Sequence, residues 1–291
     1  FTCEVISLAE GEVIYDVRAD DSKLDSDLTG AEKTTSSKLG KIGGVAAKAG
    51  KVAGAAFAAI GSAALAVGTK AVTGAVGFDQ AMNQFAASTG IAESELSDYE
   101  NTLKDIYTNN YGDSFEDVAD AMAAVTQQMG DLDQASLQNI TESAFTLRDT
   151  FGYDINESVR AANTMMTQFG IDGDKAMGLI ATGAQNGLDF SGELLDSISE
   201  YSVQFAKVGL DADDMFKIME KGAETGAFNL DKVGDAIKEM SIRVVDGSAT
   251  TQEGFSAIGL NADEMAAKFA AGGDSAKEAF DQTIQALADM D

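Results

Sequence analysis

Residues 40–77 constrain the fold more than any other part of the chain, because they carry almost no side-chain volume. They hold thirteen alanines and nine glycines, so 22 of the 38 side chains are a methyl group or a hydrogen atom. On a helix of about 100° per residue, the larger apolar side chains fall within one arc of about 140°. These residues are Ile42, Val45, Val52, Phe57, Ile60 and Val67. Small residues recur every seven positions on the other side, at Gly40, Ala47, Gly54, Gly61, Gly68 and Ala75.

This pattern predicts one long helix that needs a partner. Glycine costs about 1 kcal/mol relative to alanine in a helix interior, so the nine glycines cost roughly 9 kcal/mol. The helix regains this energy only when a second backbone packs closely against the small residues. Their heptad spacing fits a long, slightly supercoiled seam. We therefore predict that they are sites of helix packing and self-association between copies of the chain.

Membrane insertion is an alternative for the same stretch. Residues 52–69 are eighteen uncharged residues between Lys51 and Lys70. As a helix they would measure about 27 Å, close to the thickness of the hydrocarbon layer. Eight of the eighteen are alanines, which drive insertion only weakly. Soluble packing is the preferred interpretation, and contact with a host membrane through 52–69 stays open.

Charge is unevenly distributed: six lysines and no acid lie from Lys33 to Phe78, and the body that follows is strongly acidic. The net charge is −28; residues 1–78 contribute −1 and residues 79–291 contribute −27. We expect no binding of nucleic acid by 79–291, because phosphate contacts need clustered lysine and arginine. The lysine-bearing segment 33–51 could still touch an acidic surface through Lys33, Lys38, Lys41, Lys48 and Lys51.

Composition argues against an enzyme and against a bound cofactor or metal. The chain has no histidine, no proline and one cysteine, Cys3. It therefore contains no Ser-His-Asp triad, Cys-His pair, or imidazole or thiolate metal site. Two acidic triplets, 172–174 and 211–213, suggest calcium, but neither continues into the loop that a calcium site needs. We interpret them as first-turn acids that complement a helix dipole.

These changes in composition and charge divide the chain into three regions. Residues 1–38 form an arm, with a short strand predicted at 12–18 and a polar helix after it. Residues 39–77 are the long Ala/Gly-rich helix, and residues 78–291 are the acidic body. The chain begins with Phe1 instead of methionine, and its last helical pattern runs into Asp291, so we expect it to be part of a longer protein.

The body is predicted to be all-α, an array of short amphipathic helices. Its apolar residues step by three and four, which is the spacing of one helix face. Five such faces are Phe115, Val118, Met122, Val125 and Met129; Leu137, Ile140, Ala144, Leu147 and Phe151; Ile155, Val159, Ala162, Met166 and Phe169; Leu194, Ile198, Tyr201, Phe205 and Val208; and Leu230, Val233, Ile237, Met240 and Val244.

Glycines separate these helices at regular intervals, each followed by an Asp, Asn or Ser that can cap the next helix. They are Gly112, Gly130, Gly152, Gly170, Gly187, Gly209, Gly226 and Gly247. Alternate glycines are 35–40 residues apart, and the segments 127–137, 167–177 and 206–216 resemble one another. We predict a helical-hairpin repeat of roughly 39 residues. The alternative is a bundle of short helices with similar joints.

The order of segments at the junction of arm and body resembles a known family. A short strand leads into VRADDSKLDSDL at 17–28 and KTTSSKLGKIG at 33–43, and the Ala/Gly stretch follows. GFDQAMNQFAASTG at 77–90 and SFEDVADAMAAVTQQMG at 114–130 come next. This succession, over about residues 12–250, is similar to the N-terminal part of phage tail tape measure proteins, including their minor-tail region.

That resemblance implies a structural role in a phage or prophage tail. Such proteins look like helical rods that lie in the tail lumen, set tail length during assembly in the host cytoplasm, and leave at infection. It implies partners among tail tube and tail assembly proteins, and no catalytic residues. Two other classes remain: a soluble helical scaffold that binds a protein partner, and a membrane-inserting toxin or effector that acts through 52–69.

Overall fold

The computed structural model describes residues 75–130 and 132–290, and these residues form α-helices joined by short loops. The predicted all-α fold is confirmed. The strand predicted at 12–18 and most of the Ala/Gly-rich helix lie outside the described residues. The helices are α1 Ala75–Thr89, α2 Leu96–Thr108, α3 Phe115–Met129, α4 Gln134–Phe151, α5 Ile155–Phe169, α6 Gly173–Gln185, α7 Leu194–Lys207, α8 Ala212–Glu224, α9 Leu230–Arg243, α10 Ala249–Ala257, α11 Ala262–Ala271 and α12 Gly273–Ala288.

The joints between these helices follow the predicted chemistry. All eight glycines expected between helices have φ between 65° and 92°. Eight helices begin behind a side chain whose oxygen accepts a hydrogen bond from the backbone N–H three residues later, which satisfies one free donor of the first turn. These caps are Ser114, Asp133, Asp154, Asp172, Asp211, Asn229, Ser248 and Asn261.

Helix α7 begins differently, and its start ties two parts of the array together. Glu193 precedes α7 but makes no cap hydrogen bond with its side chain. Instead, Asp189 Oδ1 accepts from the backbone N–H of Leu194 at 2.9 Å. The Glu193 carboxylate accepts from Asn229 Nδ2, at the start of α9, at 3.3 Å. Asp189 in the loop thus replaces the usual N-cap side chain of α7. The Glu193 carboxylate instead connects the start of α7 to the start of α9.

Alternate helices pack side by side and form two layers. One layer contains α1, α3, α5, α7 and α9, and the other contains α2, α4, α6 and α8. Gln84 Nε2 donates to Asp120 Oδ1 at 2.7 Å, and Gln127 Nε2 donates to the Ser88 carbonyl at 2.8 Å, so α1 and α3 run parallel. This arrangement fits an array of helical hairpins in which each hairpin rests on the one before it.

The hydrophobic core lies between the two layers and is built from the predicted faces. Each of the five faces contributes at least two side chains that are under a tenth exposed, and the remaining ones pack at the margin of the same core. The largest fully buried side chains include Tyr201, Phe85, Phe145 and Phe205. Phe85 lies on α1, so the core extends onto the helix that begins at the end of the Ala/Gly stretch.

The last three helices leave the two-layer pattern. Helix α11 packs mainly against α12, and α12 turns back to contact α7. The close approach is made at Gly209, just after α7, which has φ +82° and lies against the backbone of Gly273, Ala276 and Lys277. Lys277 Nζ forms an ion pair with Asp214 on α8. The predicted all-α body of 78–291 includes these helices, but the five predicted faces end at Val244 and give no indication of where the later helices pack.

Candidate interaction surface

The residues predicted for self-association lie almost entirely beyond the part of the chain that the structure describes. Gly40, Ala47, Gly54, Gly61 and Gly68 are outside the described residues, as is the candidate membrane segment 52–69. Ala75 is the first residue of α1. Within 75–130 and 132–290, no helix is both long and apolar enough to cross a membrane. The seam therefore stays a prediction.

The acidic triplets that suggested calcium take part in local structure. Asp172 and Asp211 are N-caps of α6 and α8. Asp213 Oδ2 accepts from Lys175 Nζ at 2.6 Å, so it joins α8 to α6. Among the described residues, no group of three or more His, Cys, Asp or Glu side chains is arranged to hold a metal ion. Capping and inter-helix contacts account for these three carboxylates.

Polar side chains connect several helices, or the loops that follow them, to the next helix of the same layer. Arg160 contacts Asp196 at 3.1 Å, and Asn186 donates to Glu220 at 2.9 Å. Further pairs of this kind are Asn109 with Glu142, Lys175 with Asp213, Lys238 with Glu200, and Ser241 with Gln204. The partners are 33–38 residues apart in the sequence, so these contacts fix the register between successive hairpins.

A polar cavity of about 440 Å³ lies between α3 and the start of α5. Asp117, Asp120, Arg148, Tyr153 and Asp154 contribute to its wall. Arg148 is bound to the carboxylates of Asp117 and Asp149, and Asp154 caps α5. The charged groups are thus engaged in holding the hairpin, and the cavity presents no uncommitted cation for an anionic ligand.

A more distinctive surface is the loop edge, defined as residues 109–114, 152–154, 186–193 and 225–229. These four loops follow α2, α4, α6 and α8, and they succeed one another along the array. Each contains one aromatic residue, and these are Tyr111, Tyr153, Phe190 and Phe228. Such residues lie outside the three-and-four spacing of the helices, so helix periodicity gave no signal for them. An aromatic residue within a Gly-Asp-Asn-rich joint is the feature that could have identified them.

The first two aromatics of the loop edge are covered by protein. Tyr111 stacks on Phe145 of α4, with ring centroids 6.3 Å apart. Tyr153 packs against Phe151 at 5.8 Å, and its hydroxyl hydrogen-bonds to Asp189 in the next loop. Burial raises the pKa of both phenols; the charge of Glu142 adds to it at Tyr111, and that of Asp189 at Tyr153. Each tyrosine is thus held by the following hairpin.

The last two aromatics of the loop edge are open to solvent. Phe190 is 49% exposed and Phe228 is 86% exposed. Residues 186–193 and 224–231, which surround them, contain Asp189, Glu193, Glu224 and Asp231 and no lysine or arginine, for a formal charge of −4. A second exposed apolar set lies on and just after α12, at Ile284, Leu287 and Met290. Sequence reasoning found neither set.

Comparison with known proteins gives one match. The family model described as phage-related minor tail protein matches residues 101–291, which is 191 of the 291 residues. The match includes α3–α12 and the whole loop edge. Neither a curated protein nor a solved structure matches the chain.

Proposed function

Since the chain belongs to the family of phage-related minor tail proteins, we propose that it is a tape measure protein, which sets tail length during assembly and is released at genome delivery. A structural role in the phage tail follows from the family. The tape measure role is the finer proposal. It places the chain in the tail lumen of the virion, and in the host cytoplasm while the tail is assembled.

The observation that supports this proposal is that the Ala/Gly-rich stretch precedes the region that matches the family. If residues 40–77 form the predicted helix, their small residues line one face with a heptad repeat, which suits close packing between copies of the chain. The following body is helical and carries a charge of −27 in residues 79–291, which favours solubility and disfavours contact with nucleic acid. We propose as its partners other copies of the chain, the tail tube and tail assembly proteins.

A second candidate function is a tail scaffold that holds a protein partner without measuring length. The exposed Phe228 and Phe190 favour it, because an aromatic side chain that is 86% exposed is a common anchor of protein interfaces. The membrane-inserting alternative depends on 52–69, which lies outside the described residues. The body contributes no spanning helix within 75–130 and 132–290.

Duplicating one hairpin in the encoding phage separates measurement from scaffolding. Residues 131–169, which contain α4 and α5, are the segment to duplicate, because they lie between the joint glycines Gly130 and Gly170. A continuous helix of the added 39 residues would lengthen the tail by roughly 59 Å, at about 1.5 Å per residue. A hairpin that stays folded would add about 10 Å, the distance between packed helices. Tail lengths are measured by electron microscopy.

The matched control is a variant with Glu253→Gln and Gln252→Glu, which alters exposed residues of α10 and adds no length. Tape measure function requires that the duplication lengthens the tail, that deletion of 131–169 shortens it, and that the control variant leaves its length unchanged. Intact tails of unchanged length from both the duplication and the deletion would contradict measurement and leave the scaffold function.

A further inference from the structure

We propose that the aromatic end, defined as the last two loops of the loop edge with the adjoining helix residues (186–193 and 224–231), binds a protein segment that carries lysine or arginine side chains around an apolar residue. This inference holds for either function proposed above, because it concerns only the body of the chain. It rests on three features of the aromatic end: the exposure of its phenylalanines, its fixed backbone and its charge.

The exposure of Phe228 breaks the pattern of the array. Tyr111 and Tyr153 occupy corresponding loops, and both are partly buried: Tyr111 stacks on Phe145 of the next hairpin, and Tyr153 packs on Phe151 and hydrogen-bonds to Asp189 in the next loop. After α9 the chain leaves the two-layer pattern, so no hairpin of the described residues follows to cover Phe228. An aromatic residue thus recurs in the last loop of the loop edge, where no further hairpin of the described residues packs against it. A large apolar side chain in this position is typical of a residue that is buried on binding.

The backbone that presents Phe228 is held on both sides. The N–H of Ala227 donates to the carbonyl of Gly222 at 2.9 Å. Asn229 caps α9 by accepting from the N–H of Lys232 at 3.2 Å, and it also donates to Glu193. Phe228 lies between these two anchored residues. A side chain displayed from a fixed loop loses less conformational entropy on binding than one on a loose segment.

Charge decides which partner fits. Residues 186–235 carry eleven acids and four lysines, a net charge of −7. Of the lysines next to the aromatic end, Lys221 is paired with Glu224 at 3.1 Å and Lys232 with Asp235 at 3.6 Å. The surface around the two phenylalanines is therefore acidic. It repels an anionic membrane, a nucleic acid or the equally acidic body of a second copy, and attracts a basic segment.

The test uses the full chain and a short fluorescent peptide in which lysines surround leucines. Fluorescence anisotropy measures its affinity at low and at physiological salt. The variant Phe190→Ser with Phe228→Ser should bind at least about tenfold more weakly, as expected for loss of central aromatic anchors. The control variant, Ile284→Ser with Leu287→Ser, removes two comparably exposed apolar side chains from α12 and should bind within about twofold of the original chain.

Two matched peptides test the chemistry of the partner. Replacing lysine by glutamate should abolish binding, and replacing leucine by serine should weaken it to the level of the phenylalanine variant. Circular dichroism establishes that both protein variants keep their helices, which we expect because the replaced side chains are exposed.

The proposal is overturned if the phenylalanine variant binds as well as the original chain, or if the control variant loses as much affinity. It is also overturned if the glutamate peptide binds equally. Loss of self-association in the phenylalanine variant, measured by sedimentation, would identify a second copy as the occupant and would equally contradict a basic partner.

Discussion

Arg148 on α4 contacts both carboxylate oxygens of Asp117 in the first turn of α3, at 3.0 and 2.9 Å from Nη1. Its guanidinium also lies 4.6 Å from the ring centroid of Phe145, over the core between the layers. The two charged side chains are only 28% and 29% exposed. A pair with this shielding should contribute more to stability than a fully exposed one.

We predict that Asp117→Asn lowers the free energy of unfolding by about 1–2 kcal/mol, because it leaves a half-buried guanidinium with one carboxylate fewer. Asp196→Asn is the matched control. It breaks the Arg160–Asp196 pair, whose side chains are 52% and 77% exposed, and should cost under about 0.5 kcal/mol. Urea unfolding monitored by circular dichroism measures both. Equal losses would show that the shielding of Arg148 has no energetic effect.

Two helical glycines should respond oppositely to alanine. A Cβ at Gly234, on α9, would overlap the ring of Tyr201, whereas a Cβ at Gly254, on α10, would meet no atom within 4 Å. We predict that Gly234→Ala destabilises the chain by about 1–3 kcal/mol through overpacking. Gly254→Ala should stabilise it by up to about 1 kcal/mol, because only helix propensity changes. Thermal unfolding of the two variants side by side checks the difference in sign.

The contact between Gly209 and α12 gives a prediction about the C-terminal helices. A Cβ at Gly209 would overlap backbone atoms of Gly273 and Lys277, so Gly209→Ala should release α12 from α7. Hydrogen exchange should then accelerate in residues 273–288 by at least about tenfold, while exchange in α3–α5 is unchanged.

Gly259→Ala is the control for Gly209→Ala. Gly259 also has positive φ, +76°, but open space around its Cβ position, so its substitution costs only backbone strain of about 1 kcal/mol. If Gly259→Ala accelerates exchange in α12 as much as Gly209→Ala does, the faster exchange comes from backbone strain, and the close approach at Gly209 does not hold α12 in place.

Acid should loosen the same contact through Asp214. Burial alone would raise the pKa of this carboxyl, but the hydrogen bond from Lys277 and the one from the Asp211 backbone hold it below its ordinary value. A carboxyl whose pKa is lowered by folding stabilises the folded state above its unfolded pKa, and this stabilisation is lost as pH falls through the folded pKa. We predict that exchange in α12 rises below about pH 4 in the original chain. In Asp214→Asn, exchange should already be fast at neutral pH.

The sequence predicted local features well, because each depends on a few neighbouring residues. Asp133 caps α4 and Gly152 ends it, and both functions are set within one helical turn. The face from Leu137 to Phe151 likewise follows from a spacing of three and four. By contrast, the contact of α12 with Gly209 joins residues more than sixty positions apart, and no local pattern encodes it. Phe228 escaped prediction because its exposure depends on how later helices pack, and no helix of the described residues covers it.

The predicted seam at Gly54, Gly61 and Gly68 leads to a test of self-association in the full chain. Replacing all three by valine puts branched side chains where two backbones should meet, so association should weaken. Replacement by alanine should be milder, because each alanine also removes about 1 kcal/mol of glycine penalty. Sedimentation of the chain and its partition into liposomes are measured for both variants. The membrane alternative would be favoured if the original chain and the valine variant both stay monomeric at every concentration and both enter liposomes readily.

Tyr201 should make the body sensitive to alkali. Its ring is buried, and its hydroxyl donates to Asp231 Oδ1 at 2.5 Å, with Asp235 Oδ1 3.1 Å away. Burial raises the pKa of this phenol, and the two carboxylates raise it further because they favour the protonated hydroxyl. A group whose pKa is raised by folding stabilises the folded state fully below its unfolded pKa, and this contribution is lost as pH rises through the folded pKa.

The loss of stability in alkali should begin near pH 10, because there the tyrosine ionises in the unfolded chain but stays protonated in the folded one. One pH unit higher, each such tyrosine removes about 1.4 kcal/mol of stability. Tyr201→Phe should cost about 1–2 kcal/mol at neutral pH, because it leaves the two carboxylates without their donor. It should also flatten the alkaline decline, and Tyr153→Phe should flatten it further, since the pKa of Tyr153 is raised as well. Denaturant unfolding between neutral pH and about pH 11, with tyrosinate absorbance as a second signal, measures both effects. A decline of the same steepness in the double variant would show that other groups cause alkaline unfolding.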